Sequence, residues 1–393
     1  MKSKNDWGRL GLISNYETRP LGELVEFVAK GIPPKYATEK TEDTIAVLNQ
    51  KTNRNFKIDY KLARLNDLSK KKVSIEKMLI ANDVLINSTG VGTAGRIAQL
   101  FSVPEPTTVD GHMIIVRADS DKINPIYLGY ALKAQQKVIE DLQEGSTGQT
   151  ELNRHRLLNE IEISFPSDTE KQGEIASLFL SLDNRISENE KINHHLEQIA
   201  HSIFKSWFVD FNPFGGDVPA SWNEELLFDL ATVTYGKNLP TKKLLSSGYR
   251  VFGGNGQIGY YSEYLYKKER ILISCRGAAS GTVRLSRPYS FVTNNSLIVN
   301  EKEPELFAYL KEWSLNRQFF DAVTGSAQPQ VTVDSLKLIS LPKPDKETLE
   351  KFTNLLMPIY NEIEANTTEC EKLVILRDTL LPKLMAGEIS VTD

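Results

Sequence analysis

The sequence predicts an α+β protein, in which two globular α/β units are separated by two long helices that form an antiparallel coiled coil, arranged as a pseudo-two-fold internal repeat. Three observations lead there. Residues 168–210 and 345–386 carry one helical pattern twice, at a constant offset of 177 residues and without a gap. The segments before them pass the same landmarks in the same order. Each long helix is preceded by a strand that ends in proline. The resulting boundaries are 1–166 for an N-terminal segment and first globular unit, 167–212 for the first helix, 213–343 for the second unit, and 344–393 for the second helix and tail.

Taken in chain order, Asp83–Gly90 is a short apolar run ending at a turn glycine, the pattern of a buried strand, and Arg270–Gly277 is its counterpart. Thr108–Val116 and Val292–Val299 each read as a turn followed by a strand. Short amphipathic helices are expected around Tyr127–Lys137 and Leu306–Asn316, and small polar loops at 145–149 and 325–329. Ile163–Pro166 and Ile339–Pro342 are strands stopped by proline, with Asp168 and Asp345 placed to cap the long helices that follow. Asp210–Pro219 is a turn-rich linker.

Within the long helices, Ile175, Leu182, Asn189, Leu196 and Ile203 recur as Phe352, Ile359, Asn366, Leu373 and Leu380. A second stripe, Leu178, Phe179, Ile186, Ile192 and Ile199, recurs as Leu355, Leu356, Ile363, Glu369 and Leu376. Heptad spacing keeps such positions on one side and makes them a seam against a second helix. Asn189 and Asn366 interrupt the seam at the same place. They read as buried polar residues that fix register at a cost in stability, against the plainer reading of exposed residues at the stripe's edge.

The composition, 40% hydrophobic and 25% charged, is that of a globular protein. No apolar run reaches the roughly 20 residues of a membrane-spanning helix, and the first residues lack a secretory leader, so a cytoplasmic protein is expected. Cys275 and Cys370 fall in different repeats and are expected as thiols. His194, His195 and His201 on the first long helix lack the acidic or cysteine partners of a metal set.

The formal net charge is −4, but it is unevenly distributed. Residues 168–210 are acidic, whereas ten cations face two acids over 230–290 and nine face three over 48–77. Basic globular units joined by acidic helices suit a polyanion held by the globules and a protein held by the helices; ordinary solvated lysines are the plain alternative.

Gly90–Gly95 spells GxGxxG after a strand. A dinucleotide site requires a helix to open within those glycines, but the counterpart, Gly277–Arg284, runs on into strand-like residues, which favours a strand-connecting loop. Phe252–Tyr261 places glycines, Asn255 and Gln257 beside two tyrosines, a pattern that fits close approach to nucleic acid or a plain turn. Asn212-Pro-Phe214 lacks the second proline of a methyltransferase motif. No catalytic machinery is legible, which leaves a DNA-binding subunit, a scaffold that does not bind DNA, or a nucleotide-binding enzyme using Gly90–Gly95.

Leu180–Asn193 through Phe204–Pro213, and Leu376–Ile389, closely resemble the specificity subunit of Type I restriction–modification enzymes. The resemblance implies two target recognition domains, each reading half of an asymmetric bipartite site in double-stranded DNA, with the helices setting the spacer. It further implies two docked adenine-methyltransferase subunits and two motor-nuclease subunits. S-adenosylmethionine, ATP and Mg would belong to those partners, with no cofactor in this chain. Under this reading Lys70, Lys71, Lys72, Arg96, Lys242, Lys243, Arg250, Arg276 and Arg284 would grip phosphates, and Thr89, Thr93, His112, Asn255, Asn294 and Asn295 would read bases. Ser146, Thr147, Gln149, Ser326 and Gln328 are further contact candidates, or joints between domain and helix.

Overall fold

The computed structural model describes residues 15–145 and 151–391. Two compact units divide the chain, residues 1–187 with 369–393, and residues 188–368.

In the first unit the principal strands are β1 (Tyr16–Pro20), β2 (Val25–Lys30), β3 (Thr44–Leu48), β4 (Arg64–Asp67), β5 (Val84–Asn87), β6 (Ile97–Gln99), β7 (Thr107–Val109) and β8 (Met113–Ala118). Helix α1 (Pro125–Ala134), strand β9 (Glu162–Pro166) and long helix α2 (Thr169–Phe208) follow. The strands form a β2-β8-β5-β6 antiparallel sheet, a second sheet in which β3 lies between parallel β7 and antiparallel β4, and a β1-β9 ribbon.

The second unit contains β10 (Asn223–Leu226), β11 (Ala231–Tyr235), β12 (Tyr249–Gly253), β13 (Gly256–Tyr261), β14 (Ile271–Ser274), β15 (Val283–Leu285), β16 (Ser290–Val292) and β17 (Ser296–Glu301). Helix α3 (Leu306–Arg317), strand β18 (Ser340–Lys343) and long helix α4 (Lys346–Met385) complete it. Its sheets are β11-β17-β14-β15, β12 between parallel β16 and antiparallel β13, and the β10-β18 ribbon. The principal strands repeat the order and pairing of the first unit, whose second sheet carries one further short strand, Tyr36–Ala37, beside β4.

The repeat extends to single hydrogen bonds. Gly31 N–H donates to Met113 O at 3.1 Å, and Gly236 N–H to Ser296 O at 3.1 Å. A Cβ on Gly31 would lie 2.1 Å from Val109 O, and one on Gly236 would lie 2.2 Å from Thr293 O, so both positions require glycine for close approach of two chains. This paired glycine escaped the sequence reading because its neighbours, Lys30 and Ile32 against Tyr235 and Lys237, share no chemistry.

Each long helix starts on the expected acid. Asp168 Oδ1 accepts from Glu170 N–H at 2.9 Å, and Asp345 Oδ1 accepts from Thr348 N–H at 2.9 Å, satisfying amides that have no intrahelical partner. The helices are antiparallel within each unit. Asp183 meets Arg377 and Arg185 meets Glu369 in the first unit, while Asn193 meets Asn366 and Phe208 meets Phe352 in the second.

Helix side chains complete both globular cores. Ile175, Phe179, Leu182, Leu381 and Leu384 join Ile86, Ile114, Tyr127 and Ile163. Phe204, Phe208, Phe352 and Leu356 join Ile273, Leu297, Tyr309 and Trp222. Burying one such side chain stabilises by about 1.5–3 kcal/mol, so each globule is fastened to the helices by hydrophobic burial.

One expectation is corrected here. The second apolar stripe is not wholly a seam, since Ile192, Ile199, Leu355 and Leu376 are 42–48% exposed. A helix packed against one partner helix and one globule still has an open side, and these residues lie on it. Asn189 and Asn366 are both buried. Asn366 Nδ2 donates to Asn193 Oδ1 at 3.0 Å and Asn193 Nδ2 to Thr367 Oγ1 at 3.0 Å, which makes Asn193 a member of the polar cluster that the stripes did not reveal.

Candidate nucleic-acid interface

Parallel pairing of β3 with β7, with β8 beginning beside the end of β5, brings three loop regions to one edge of the first unit: the one after Leu48, the one after Asn87, and the turn at Asp110–His112. Thr89 Oγ1 lies 2.8 Å from His112 Nδ1 and 3.4 Å from Gln50 Oε1. Thr93 Oγ1 donates to Thr89 O at 3.5 Å, and the Arg96 guanidinium is folded onto Gly92 O at 2.9 Å. The Arg64 guanidinium lies over the Tyr36 ring, 3.2 Å from its centroid, within electrostatic reach of Asp110. Burial pushes the Asp110 carboxyl above its ordinary pKa, against the opposing effect of the His112 amide, which donates to it at 2.9 Å. Thr89, Thr93, Arg96 and His112 therefore come together. Gln50, Tyr36 and Arg64 join them although they were not singled out from the sequence; the signal for Gln50 was its place just after a buried apolar strand.

The second unit builds the same edge with other side chains. Ser88 N–H donates to His112 O at 2.8 Å, and Cys275 N–H to Asn295 O at 3.0 Å. Gly95 N–H donates to Asn87 O at 2.8 Å, and Gly281 N–H to Ser274 O at 2.9 Å. These matches superpose Thr89 on Arg276 and His112 on Asn295 in backbone position. Asn255, Arg276, Asn294 and Asn295 all lie on this edge, at the ends of β12, β14 and β16. Arg276 is exposed, and Gly277 N–H donates to Pro329 O at 3.0 Å, which sets the 325–330 loop carrying Ser326 and Gln328 beside it. Ser146, Thr147 and Gln149 lie outside the described residues.

The expected phosphate cations are not all at this edge. Lys70, Lys71 and Lys72 follow the end of β4 that pairs with Thr44, the opposite end of β3 from Gln50, and Lys70 is paired with Asp67 at 2.9 Å. Arg250 pairs with Tyr260 near the start of β12, at the far end from Asn255, and is half-buried. Lys242 and Lys243 are exposed in the single turn Thr241–Lys243, and Arg284 is exposed in the middle of β15 opposite Leu272. Sequence proximity had grouped cations that antiparallel strands then carried to different edges. Others in the basic stretch serve the fold, Arg270 pairing with Glu301 at 2.9 Å and Arg287 with Glu364 at 2.7 Å.

Gly90–Gly95 connects β5 to β6, which pair antiparallel with Ile86 opposite Ile97. No helix opens there, so the loop lacks the geometry of a dinucleotide turn. Among the described residues no helix is long and apolar enough to cross a membrane, and no group of three His, Cys, Asp or Glu side chains is placed to hold a metal ion. Cys275 and Cys370 are not joined in a disulfide.

Two globules of one topology, fastened to paired antiparallel helices and each presenting a polar loop edge, define a duplicated recognition module. Residues 13–198 and 219–373 match the model of the Type I restriction modification DNA specificity domain, and the chain belongs to that family. It is 27% identical over 323 residues to the Type I restriction enzyme MjaIX specificity subunit of Methanocaldococcus jannaschii, covering 73% of this chain and 74% of that one. It is 22% identical to the HindI specificity subunit of Haemophilus influenzae, over 80% of this chain and 88% of that one. The crystal structure of a Type I restriction-modification S subunit from M. genitalium has the same fold, with a TM-score of 0.62 at 19% identity, over 96% of this chain and 98% of that one.

Proposed function

We propose that each unit reads one half of an asymmetric, bipartite sequence in double-stranded DNA through the edge that carries Thr89 and His112 in one unit and Arg276 and Asn295 in the other. The observation that carries this reading is one backbone frame holding different side chains. Arginine pairs bidentately with guanine and asparagine with adenine in the major groove, whereas threonine and histidine offer other patterns, so the two half-sites differ. Phosphate contacts come from Arg64 and Arg96 at the edge in the first unit, and in the second from the exposed Arg284, Lys242 and Lys243, which lie off the base-reading edge.

The helices set the unspecified spacer and dock two adenine-methyltransferase subunits. The groove lined by His195, Ile199, Ser202, Trp207 and Leu355, with its exposed isoleucine and leucine, supports docking of protein. S-adenosylmethionine is bound by those partners, ATP and Mg by two motor-nuclease subunits, and this chain supplies recognition and no catalysis. The complex acts on DNA in the cytoplasm.

Mapping methylated adenines in cells that express this chain with its methyltransferase tests the reading. The expected product is a two-part sequence with unlike halves and a fixed gap. A continuous palindrome, or methyl transfer by the highly purified chain alone, would overturn it.

A further inference from the structure

The joint between each globule and its long helix is made twice with its chemistry exchanged. Tyr127 Oη donates to Ser164 O at 2.9 Å and Tyr309 Oη to Pro342 O at 2.5 Å, which aligns α1 with α3 and makes Tyr130 equivalent to Glu312. On the long helices the constant 177-residue offset makes Asp183 equivalent to Tyr360. In the first unit Tyr130 Oη donates to Asp183 Oδ2 at 2.9 Å. In the second, Tyr360 Oη donates to Glu312 Oε1 at 2.6 Å. Each joint is a part-buried tyrosine–carboxylate pair, but the globule supplies the tyrosine in one and the acid in the other.

The surroundings follow the exchange. Asp183 also accepts from Lys133 at 3.4 Å and from Arg377 at 2.6 Å, in a site where all three side chains are at most 15% exposed. The positions equivalent to Lys133 and Arg377 in the second unit are Leu315 and the buried Ala200, neither of which carries charge. There Lys311 pairs instead with Glu269 at 2.8 Å and lies 3.6 Å from the centre of the Tyr360 ring.

We propose that this exchange makes each long helix selective for its own globular unit, so that a unit moved to the other position seats properly only if residue 183 or 360 is changed with it. The first globule on α4 would bury the Lys133 ammonium with no acid and set the Tyr130 ring against that of Tyr360. The second globule on α2 would bring Glu312 against Asp183, two carboxylates taken out of water together beside the one Arg377 guanidinium, with no tyrosine hydroxyl to bond either. The proposal concerns assembly of the chain and does not rest on the DNA reading.

The test is a full-length chimera in which residues 16–166 are replaced by a second copy of 223–343, made with Asp183 retained and with Asp183→Tyr. Calorimetry is expected to show a midpoint more than about 4 °C higher with Asp183→Tyr. Equal midpoints, or a higher one with Asp183 retained, would overturn the proposal. If neither chimera is soluble, a cycle in the natural chain decides. Glu312→Tyr and Tyr360→Asp should each lower the midpoint, and the double variant, which writes the first unit's pair into the second, should recover at least half of the loss. Simple addition of the two losses would show that the pair carries no selectivity.

Discussion

Gly31 and Gly236 show how a single atom is constrained. Neither lies in the left-handed region of backbone space, so alanine is forbidden there only by the opposing carbonyl oxygens at 2.1 and 2.2 Å. Forcing a methyl into such a contact costs about 1–3 kcal/mol. Gly31→Ala and Gly236→Ala should each lower the melting midpoint by at least about 3 °C, and a change below 1 °C in calorimetry would show that the strands separate freely. Lys133 makes a pH prediction. Burial lowers its pKa to about 8, only partly offset by Asp183, so between pH 8 and the ordinary lysine value the unfolded chain binds more protons than the folded one. Its stabilising effect is therefore full above the ordinary value and is lost as pH falls to about 8. The unfolding free energy of the natural chain minus that of Lys133→Met should rise across that window in urea titrations; a flat difference would contradict the desolvated site. Arg276→Ala should relax specificity at one base pair in competition binding, at a cost of about 1–3 kcal/mol on the natural site. Weakening that is about equal on all sequences, with the salt slope lowered by about 1, would assign Arg276 to phosphate contact instead.

At the scale of elements, the long helices were legible to within a residue or two because heptad spacing is a local property and the capping acids stand next to the proline-stopped strands. The open face was not legible. Nothing in a stripe of isoleucines tells whether a globule, a second helix or solvent will meet it, and Ile192 and Ile199 are left 42% and 48% exposed. Pro358 lies within α4 and does not end it, because Phe352 and Leu356 before it are packed into the second core while the proline faces outward. Insertion of one heptad after Glu190 keeps the apolar seam in phase and lengthens α2 by roughly 10 Å at about 1.5 Å per residue. Since α4 would not lengthen with it, part of that gain is absorbed, and the methylated site should acquire a spacer longer by roughly one to three base pairs, at about 3.4 Å each. Both half-sites should stay the same. An active enzyme with its original spacer would remove the helices from that role.

For the whole molecule, duplication is the organising fact, and it is written at two levels that differ in clarity. The helices repeat in side chains, whereas the globules repeat in hydrogen bonds and topology with few residues in common. Recognition can therefore be changed in one unit without disturbing the other. Replacing residues 220–342 with the matching segment of a relative should change one half of the methylated sequence and leave the other intact, as read by methylome sequencing. Change in both halves would mean that the units do not read independently. Wherever the donor unit lacks a partner for Tyr360, the exchange should also cost stability.

The sequence alone determined that there are two repeats, where the helices begin, that the glycine-rich loop joins strands, and which family the chain resembles, because periodicity, caps and turn residues act over a few neighbouring positions. Only the tertiary structure decided which polar residues share an edge. Thr89, Gln50 and His112 are separated by tens of residues and meet because β3, β5 and β8 end side by side, while Lys70–Lys72, close to them in sequence, are carried to the far end of β3 by an antiparallel neighbour. The same reason hid the exchanged tyrosine–carboxylate joints. Tyr130 and Asp183 are 53 residues apart and Glu312 and Tyr360 are 48 apart, so their chemistry appears only once each short helix is laid against its long one.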